Sequence, residues 1–365
     1  MPKRISVDKW LFTVTLLLVF AGLVMVFSAS AVMAKENPHY HSAYYFLWRQ
    51  FMWACAGLVA MLALMNIDYH RYRTPAVVFP LLGTTVLLLF SVFLLDRSHN
   101  THRWFRAGPL SFQPSEVAKL ALILFLAWFL EQKTKKIQDW HSLIAPVLVT
   151  GVLAGLIAAQ PDLGTSIICV AIASTTLFVA GVRLSYYLYP LAASPIAFYF
   201  LVWRVHWRHE RILAYMDPFK DPQGRGFHII QSLIAVGTGG ILGVGLMEGK
   251  QKLFYLPEPH TDFIFASIAE EWGLLGSLVV VILFAVFCYR GIRTAMLSRE
   301  PFARYLATGI TSMIVIQALF NISVVLAILP TKGIPLPFIS YGGSSLFVTL
   351  AAVGVLLNIT QQMDS

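Results

Sequence analysis

Uninterrupted apolar runs separated by short polar breaks dominate the chain, and a helix is the one single-segment structure that satisfies its own backbone inside hydrocarbon. The pattern predicts spans near residues 9–32, 45–66, 75–95, 114–131, 141–159, 164–182, 184–204, 262–289, 303–329 and 338–360. The first run follows basic Lys3, Arg4 and Lys9 and contains Ser28-Ala29-Ser30-Ala31, which imitates a leader cleavage site. Its apolar stretch is too long for a removable leader, so it is read as a retained span. Two breaks are much longer than the rest in chemical content: the segment 96–113 before the fourth run and the segment 205–261 before the eighth.

Composition agrees with the pattern. Of 365 residues, 58% are hydrophobic and 12% charged, with mean hydropathy +0.70, far from the balance of a water-soluble domain. The expected fold is all-α, a polytopic membrane protein of about ten transmembrane helices forming one membrane domain over 1–365. Cys55, Cys169 and Cys288 are scattered through apolar runs and suggest neither a metal site nor a disulfide framework.

The net charge of +9 excludes nothing by itself but orients the chain. With the N-terminus inside, Arg71, Arg73, Lys133, Lys135, Lys136, Arg183, Arg290, Arg293, Arg299 and Arg304 fall on cytoplasmic segments, as short basic loops resist translocation. Both termini are then cytoplasmic. The long outer segment 205–261 departs from this bias with Arg208, Arg211, Lys220, Arg225, Lys250 and Lys252. Together with Arg103 and Arg106 these make a cationic outer face, suited either to an anionic ligand or to lipid headgroups.

Several motifs border that face. Pro114 starts the fourth span, and Glu116 and Lys119, three residues apart, share one helix face as an intramembrane ion pair or as part of a substrate site. Asp162 in Gln160-Pro161-Asp162-Leu163-Gly164-Thr165 is placed to cap the next helix. The glycine run 237–249 fails as a phosphate loop, because Val244 stands where the first glycine is needed before Gly249-Lys250 and Gln251 replaces Ser or Thr. Those glycines suit close backbone packing. Leu256-Pro257-Glu258-Pro259-His260-Thr261-Asp262-Phe263 brings a carboxylate to the membrane edge where an apolar helix begins, which makes Asp262 either a helix cap or a base whose affinity for protons is raised by desolvation. The loop Pro330-Thr331-Lys332-Gly333 enters the last span through Ser340-Tyr341-Gly342-Gly343-Ser344-Ser345, and no Gly-x-Ser-x-Gly nucleophile elbow occurs.

His102-Arg103-Trp104, Gln160-Pro161-Asp162-Leu163-Gly164-Thr165, Asp221-Pro222-Gln223-Gly224-Arg225-Gly226, His260-Thr261-Asp262-Phe263 and Pro330-Thr331-Lys332-Gly333, in this order over nearly the whole chain, resemble the SEDS family (shape, elongation, division and sporulation) of peptidoglycan glycosyltransferases. The motifs look more like its division members than its elongation members, and sporulation members share much of the same pattern. The resemblance implies a lipid II substrate, polymerised into a growing glycan strand at the outer face of the bacterial cytoplasmic membrane, for septal wall synthesis. It implies that Asp262 is the catalytic base and that Arg103, Arg106, Glu116, Lys119, Asp162, Arg208, Arg211, Arg225, Lys250, Lys252, Lys332 and Ser344 are the positions to examine for substrate binding. A divalent cation, Mg or Mn, could bridge the pyrophosphate, though no metal ligands are identified. The implied partners are a class B penicillin-binding protein and other divisome membrane proteins, with no nucleic acid. A lipid II flippase is the competing reading, against which stand the lack of an evident inverted repeat and the edge position of Asp262. The segment after the last span is short, so contacts through a long C-terminal tail are not expected.

Overall fold

The computed structural model describes residues 7–38, 40, 42–95, 103–107, 110–253 and 255–363. Its helices are α1 (Lys9–Glu36), α2 (Tyr45–Asn66), α3 (Pro75–Leu95), α4 (Pro114–Gln132), α5 (His141–Ala159), α6 (Leu163–Val179), α7 (Leu188–Phe198), α8 (His206–Met216), α9 (Phe227–Thr238), α10 (Ile264–Leu297), α11 (Pro301–Val325) and α12 (Gly343–Thr360). A small antiparallel hairpin, β1 (Phe105–Ala107) and β2 (Leu110–Phe112), pairs Arg106 opposite Ser111 just before α4. The other regular elements among the described residues are helical, as the apolar runs require.

Local chemistry sets the helix ends. Asp8 accepts the Leu11 N–H at 3.1 Å to cap α1, and Pro75, Pro114 and Pro301 open α3, α4 and α11, where a missing N–H costs nothing. The bundle is inverted relative to a water-soluble protein on its outside: Leu87, Phe90 and Leu94 of α3 and Val147 and Leu148 of α5 are exposed, as side chains facing lipid can be. Its centre is α12, buried almost throughout and packed along α2, while α11 contacts α4, α6 and α10.

Seven of these helices are long and apolar enough to cross a membrane, or eight with one bent pair. Two of the expected spans also form helices but fall short of that measure: α4 carries Glu116, Lys119 and Glu131, and α6 has only 17 residues. The expected seventh span is not one straight helix. A short 3-10 turn, α7 and a π turn at Tyr199–Trp203 lead into α8 across a bend of 103°. Boundaries also move near the site, because α10 begins at Ile264 rather than 262 and α12 at Gly343 rather than 338.

Part of the segment 205–261 is tied into the bundle, while α8 stays largely exposed. After α9, which packs on α10 and α11, the chain from Gly239 to Lys252 crosses α10 at a break. At Gly273 (φ 67°, ψ −163°) α10 leaves helical geometry, and Val244 and Gly245 donate to the Glu270 and Glu271 carbonyls at 3.0 and 3.1 Å while Leu274 donates to Gly240 at 2.9 Å. A side chain at Gly243 would put its Cβ 2.1 Å from the Glu271 carbonyl oxygen, so backbone lies directly on backbone there. The carboxylates complete the lock. Glu270 accepts the Lys250 and Gln251 N–H groups at 2.7 and 3.0 Å, and Glu271 accepts the Met247 N–H, the Ser28 hydroxyl and the Lys252 ammonium, the last at 2.5 Å.

Candidate active site

At the end of the bundle where α4, α6, α10 and α12 start, two cavities meet at Asp262. One, of about 660 Å³, is walled by Arg103, Asp162, Leu163, Ile167, Phe198, Val202, Arg208, Ile212, Phe320 and Leu329; the other, of about 470 Å³, by Glu210, Ala214, Arg225, His228, Pro257 and Glu258. Trp207, Arg211, Asp262, Thr331, Lys332 and Gly333 line both. The arrangement is a groove with one cationic and apolar end, one polar end, and a carboxylate between them.

Asp262 is not a helix cap. Phe263 occupies the cap position of α10 without a side-chain bond, and the Asp262 carboxylate has no hydrogen-bond donor among the described residues. Its backbone, by contrast, is held: Asn321 of α11 donates to its carbonyl at 2.7 Å, and Ser340 donates to the preceding Thr261 carbonyl at 2.6 Å. Burial first, then the charges of Glu258 and Asp162, push the carboxyl up to about 6, against the opposing pull of Arg103 and Arg211. A carboxylate so poised binds a proton more strongly than an ordinary aspartate yet is ionised at neutral pH. His260, two residues earlier, is no rival base. Its ring is buried against Phe46 and Tyr341, which holds it near 4, and it faces neither cavity.

The cations divide into free and committed groups. Lys332 and Arg211 line both cavities and reach no hydrogen-bond acceptor or ion-pair partner among the described residues; burial, with Arg208 nearby, lowers Lys332 to about 8. Arg208 lines the apolar cavity while donating to the Leu201 carbonyl at 2.7 Å, and Arg103 braces the α5–α6 turn through the Gln160 carbonyl at 3.1 Å and the Pro161 carbonyl. Arg225 lines the polar cavity but is paired with Glu210 at 2.7 Å.

Most of the other expected site residues are engaged with internal partners or lie away from the groove. Lys252 is buried on Glu271, inside the re-entrant lock, and lines neither cavity; Lys250 is exposed and contributes its backbone N–H to Glu270. Sequence alone did not reveal that the chain dives between α1 and α10 at this point. Ser344 is also away from the groove, its hydroxyl accepting the Gln113 N–H at 3.3 Å. Glu116 and Lys119 form a buried ion pair at 3.0 Å, with Lys119 also donating to Gln317 at 2.6 Å. Asp162 borders the apolar cavity but is occupied as a cap, accepting the Thr165 N–H and hydroxyl and the Gln113 amide. Arg106 lies in β1 and its side chain is outside the described atoms, as is His102.

One groove residue escaped the sequence reading: Trp207, one turn before the expected Arg211 on α8, presents with it one face to both cavities. Asn321 and Gln317 were visible as polar positions in an otherwise apolar span, which is itself a functional signal. Among the described residues no three His, Cys, Asp or Glu side chains converge as a protein-held metal would require. The groove's fixed positive charge is carried by Arg103, Arg208, Arg211, Arg225 and Lys332.

The family model for the cell cycle proteins FtsW, RodA and SpoVE matches residues 8–365. The chain belongs to this family. It is 46% identical over 346 residues to a protein of Geobacter metallireducens named probable peptidoglycan glycosyltransferase FtsW, covering 94% of this chain and 91% of that one. It is 43% identical over 361 residues to stage V sporulation protein E of Bacillus subtilis, covering 98% of each. Among solved structures, a chain from a peptidoglycan synthase complex, described as coordinating polymerization and crosslinking, superposes with a TM-score of 0.82 at 31% identity over 99% of both chains. The rod shape determining protein RodA of Thermus thermophilus superposes with a TM-score of 0.73 at 28% identity over the full length of both. The family therefore covers the bundle and the groove alike.

Proposed function

We propose that this family member is a peptidoglycan glycosyltransferase that polymerises lipid II with inversion, and that Asp262 is its general base. The observation that carries the reading is the position of Asp262, unpartnered, on the wall common to a cationic apolar cavity and a polar one. A lipid-linked sugar donor suits the first: Phe198, Val202, Ile212 and Phe320 receive the start of the lipid while Arg103, Arg208, Arg211 and Lys332 face the pyrophosphate. A sugar acceptor suits the second, where Glu210, His228 and Glu258 offer hydrogen-bonding groups.

In the step itself the acceptor GlcNAc 4-hydroxyl gives its proton to the Asp262 carboxylate as its oxygen bonds to the anomeric carbon of the donor MurNAc. The bond from that carbon to the pyrophosphate oxygen breaks, and the leaving lipid pyrophosphate takes up the electron pair. Lys332 and Arg211, having no internal acceptor to give up, offset that charge as it develops. Asp162, Glu116 and Lys119 act beneath this as supports of the groove.

The groove is assigned to the outer face of the bacterial cytoplasmic membrane, because the opposite end of the bundle carries the basic loops at Arg71, Arg73, Lys133 and Lys136. Ten crossings are consistent with that alternation, with α8 and α9 as outer elements between the seventh and eighth. A class B penicillin-binding protein is the proposed partner and septal synthesis the proposed setting, supported by likeness to the division-named relative and to the synthase complex. The decisive experiment supplies labelled lipid II to the purified complex and compares wild type with Asp262→Ala and Asp262→Asn. Glycan strands from wild type and none from either variant are expected. Undiminished product from both variants would remove Asp262 as base, and a wild-type complex that only scrambles lipid II would overturn the enzyme reading.

A further inference from the structure

The loop from Pro330 to Gly342 has no regular secondary structure yet carries Lys332 and Gly333 into the groove, so its backbone carbonyls beside the buried Ile334 and Leu336 need donors from elsewhere. Two amides one turn apart on α11 supply them. Asn321, 1% exposed, uses both hydrogens of its Nδ2, one on the Asp262 carbonyl and one on the Ile334 carbonyl, each at 2.7 Å. Gln317, 3% exposed, donates to the Pro335 carbonyl at 2.9 Å and accepts from Lys119 at 2.6 Å. With two carbonyls facing Nδ2, the amide cannot be turned over, and its Oδ1 is left buried without a donor among the described residues.

The effect converges on one contact. Pinning Ile334 sets Gly333 so close to Asp262 that a Cβ there would lie 2.6 Å from the carboxylate oxygen Oδ2. The same brace therefore fixes the base, the glycine wall behind it and the adjoining Lys332. Ser340 adds a second tie between the two segments, donating to the Thr261 carbonyl and accepting the Leu336 N–H at 2.7 Å.

We propose that Asn321, supported by Gln317, is a positioning residue for glycosyl transfer: one buried amide couples the backbone of the base to the backbone of the cation loop and so sets their separation across the groove. It touches no reacting atom. The inference rests on the reading of Asp262 as the base. A merely structural asparagine would affect yield and thermal stability; a positioning one affects the chemical step in molecules that fold.

The test uses the full chain with its transpeptidase partner, labelled lipid II, and the variants Asn321→Leu and Asn321→Ser beside wild type and Asp262→Asn. Asn321→Leu removes both donors at similar volume, and kcat is expected to fall by about 10- to 100-fold, the range for small misplacement of a catalytic group, with KM for lipid II within about twofold. The acid limb of the pH profile is expected to move down, because a looser wall admits water to Asp262. Asn321→Ser keeps one hydroxyl donor and should give an intermediate kcat. A folded Asn321→Leu with wild-type kcat and an unmoved acid limb overturns the proposal, as does a loss confined to KM. Should Asn321→Leu fail to fold, Asn321→Ser decides alone, and wild-type kcat with an unmoved limb in that variant overturns it. If Asp262→Asn is fully active, the parent reading falls and this one with it; if Asp262→Asn is inactive while the Asn321 variants match wild type, only this inference is lost.

Discussion

Two carboxylates nine residues apart at the start of α10 have opposite surroundings. Glu271 is buried and saturated, accepting from Ser28, Met247 and Lys252, whereas Asp262 lies at a cavity wall with no donor to its carboxylate among the described residues. The lysines repeat the contrast. Lys252 and Lys119 are spent on internal partners, while Lys332, two-cavity and unpartnered, is not. Buried polar groups are normally paired, so the informative groups are the ones left unsatisfied where a ligand can reach them.

The contrast breaks most sharply at Asp262. Asp262→Asn is expected to cut glycan formation by at least about a hundredfold, the usual contribution of a positioned base, with the protein still folded. Stability should move the other way. The carboxyl is raised from 3.8 to about 6, so its contribution to folding is full below about pH 4 and lost as pH rises through 6; Asn should raise the melting temperature at pH 7.5 and leave it unchanged at pH 4. A melting temperature lowered at both pH values would show that the carboxylate is a structural group after all.

Lys252→Met addresses the saturated region. Leaving Glu271 charged and buried without its ammonium should cost about 3–5 kcal/mol of stability, read as a lower melting temperature in detergent, and Lys252→Met with Glu271→Leu should recover most of it. Undiminished stability in the single variant, with weaker lipid II binding, would return Lys252 to the substrate site. Lys332→Ala is smaller in scale: a rise of about tenfold in KM or an equal fall in kcat, as expected for one lost charge-assisted contact, with no loss of melting temperature because burial already disfavours the charged lysine.

The mildest test is the pH profile of wild type. Asp262 must be ionised, so kcat/KM should fall below about pH 6, and Lys332 must be protonated, so it should fall above about pH 8. Lys332→Arg should abolish the alkaline limb in this range and leave the acid limb in place. An alkaline limb that persists in Lys332→Arg would assign it to another group.

Apolar run length carried most of the fold, because a helix is the only answer hydrocarbon allows and each run imposes it locally. Where local rules compete, the sequence was less legible. The bend after Trp203 and the break of α10 at Gly273 depend on what packs beside them, so runs that looked continuous contain a corner and a crossing. For the site, the sequence marked Asp262 as a carboxylate between a rigid proline segment and an apolar helix, cap or base, and marked the basic residues around it. The sorting of that face was not, because Arg211 and Lys252 are equally basic in sequence and differ only in what surrounds them.

The sequence by itself determined the polytopic helical class and the family, and marked the short stretch that carries Asp262. Tertiary structure alone decided which charges are free. Pairing depends on distances between segments far apart in the chain: Ser28 with Glu271, Lys119 with Gln317, Asn321 with Asp262. The low-dielectric interior makes each pairing, or its absence, count for far more than the same residues would in water.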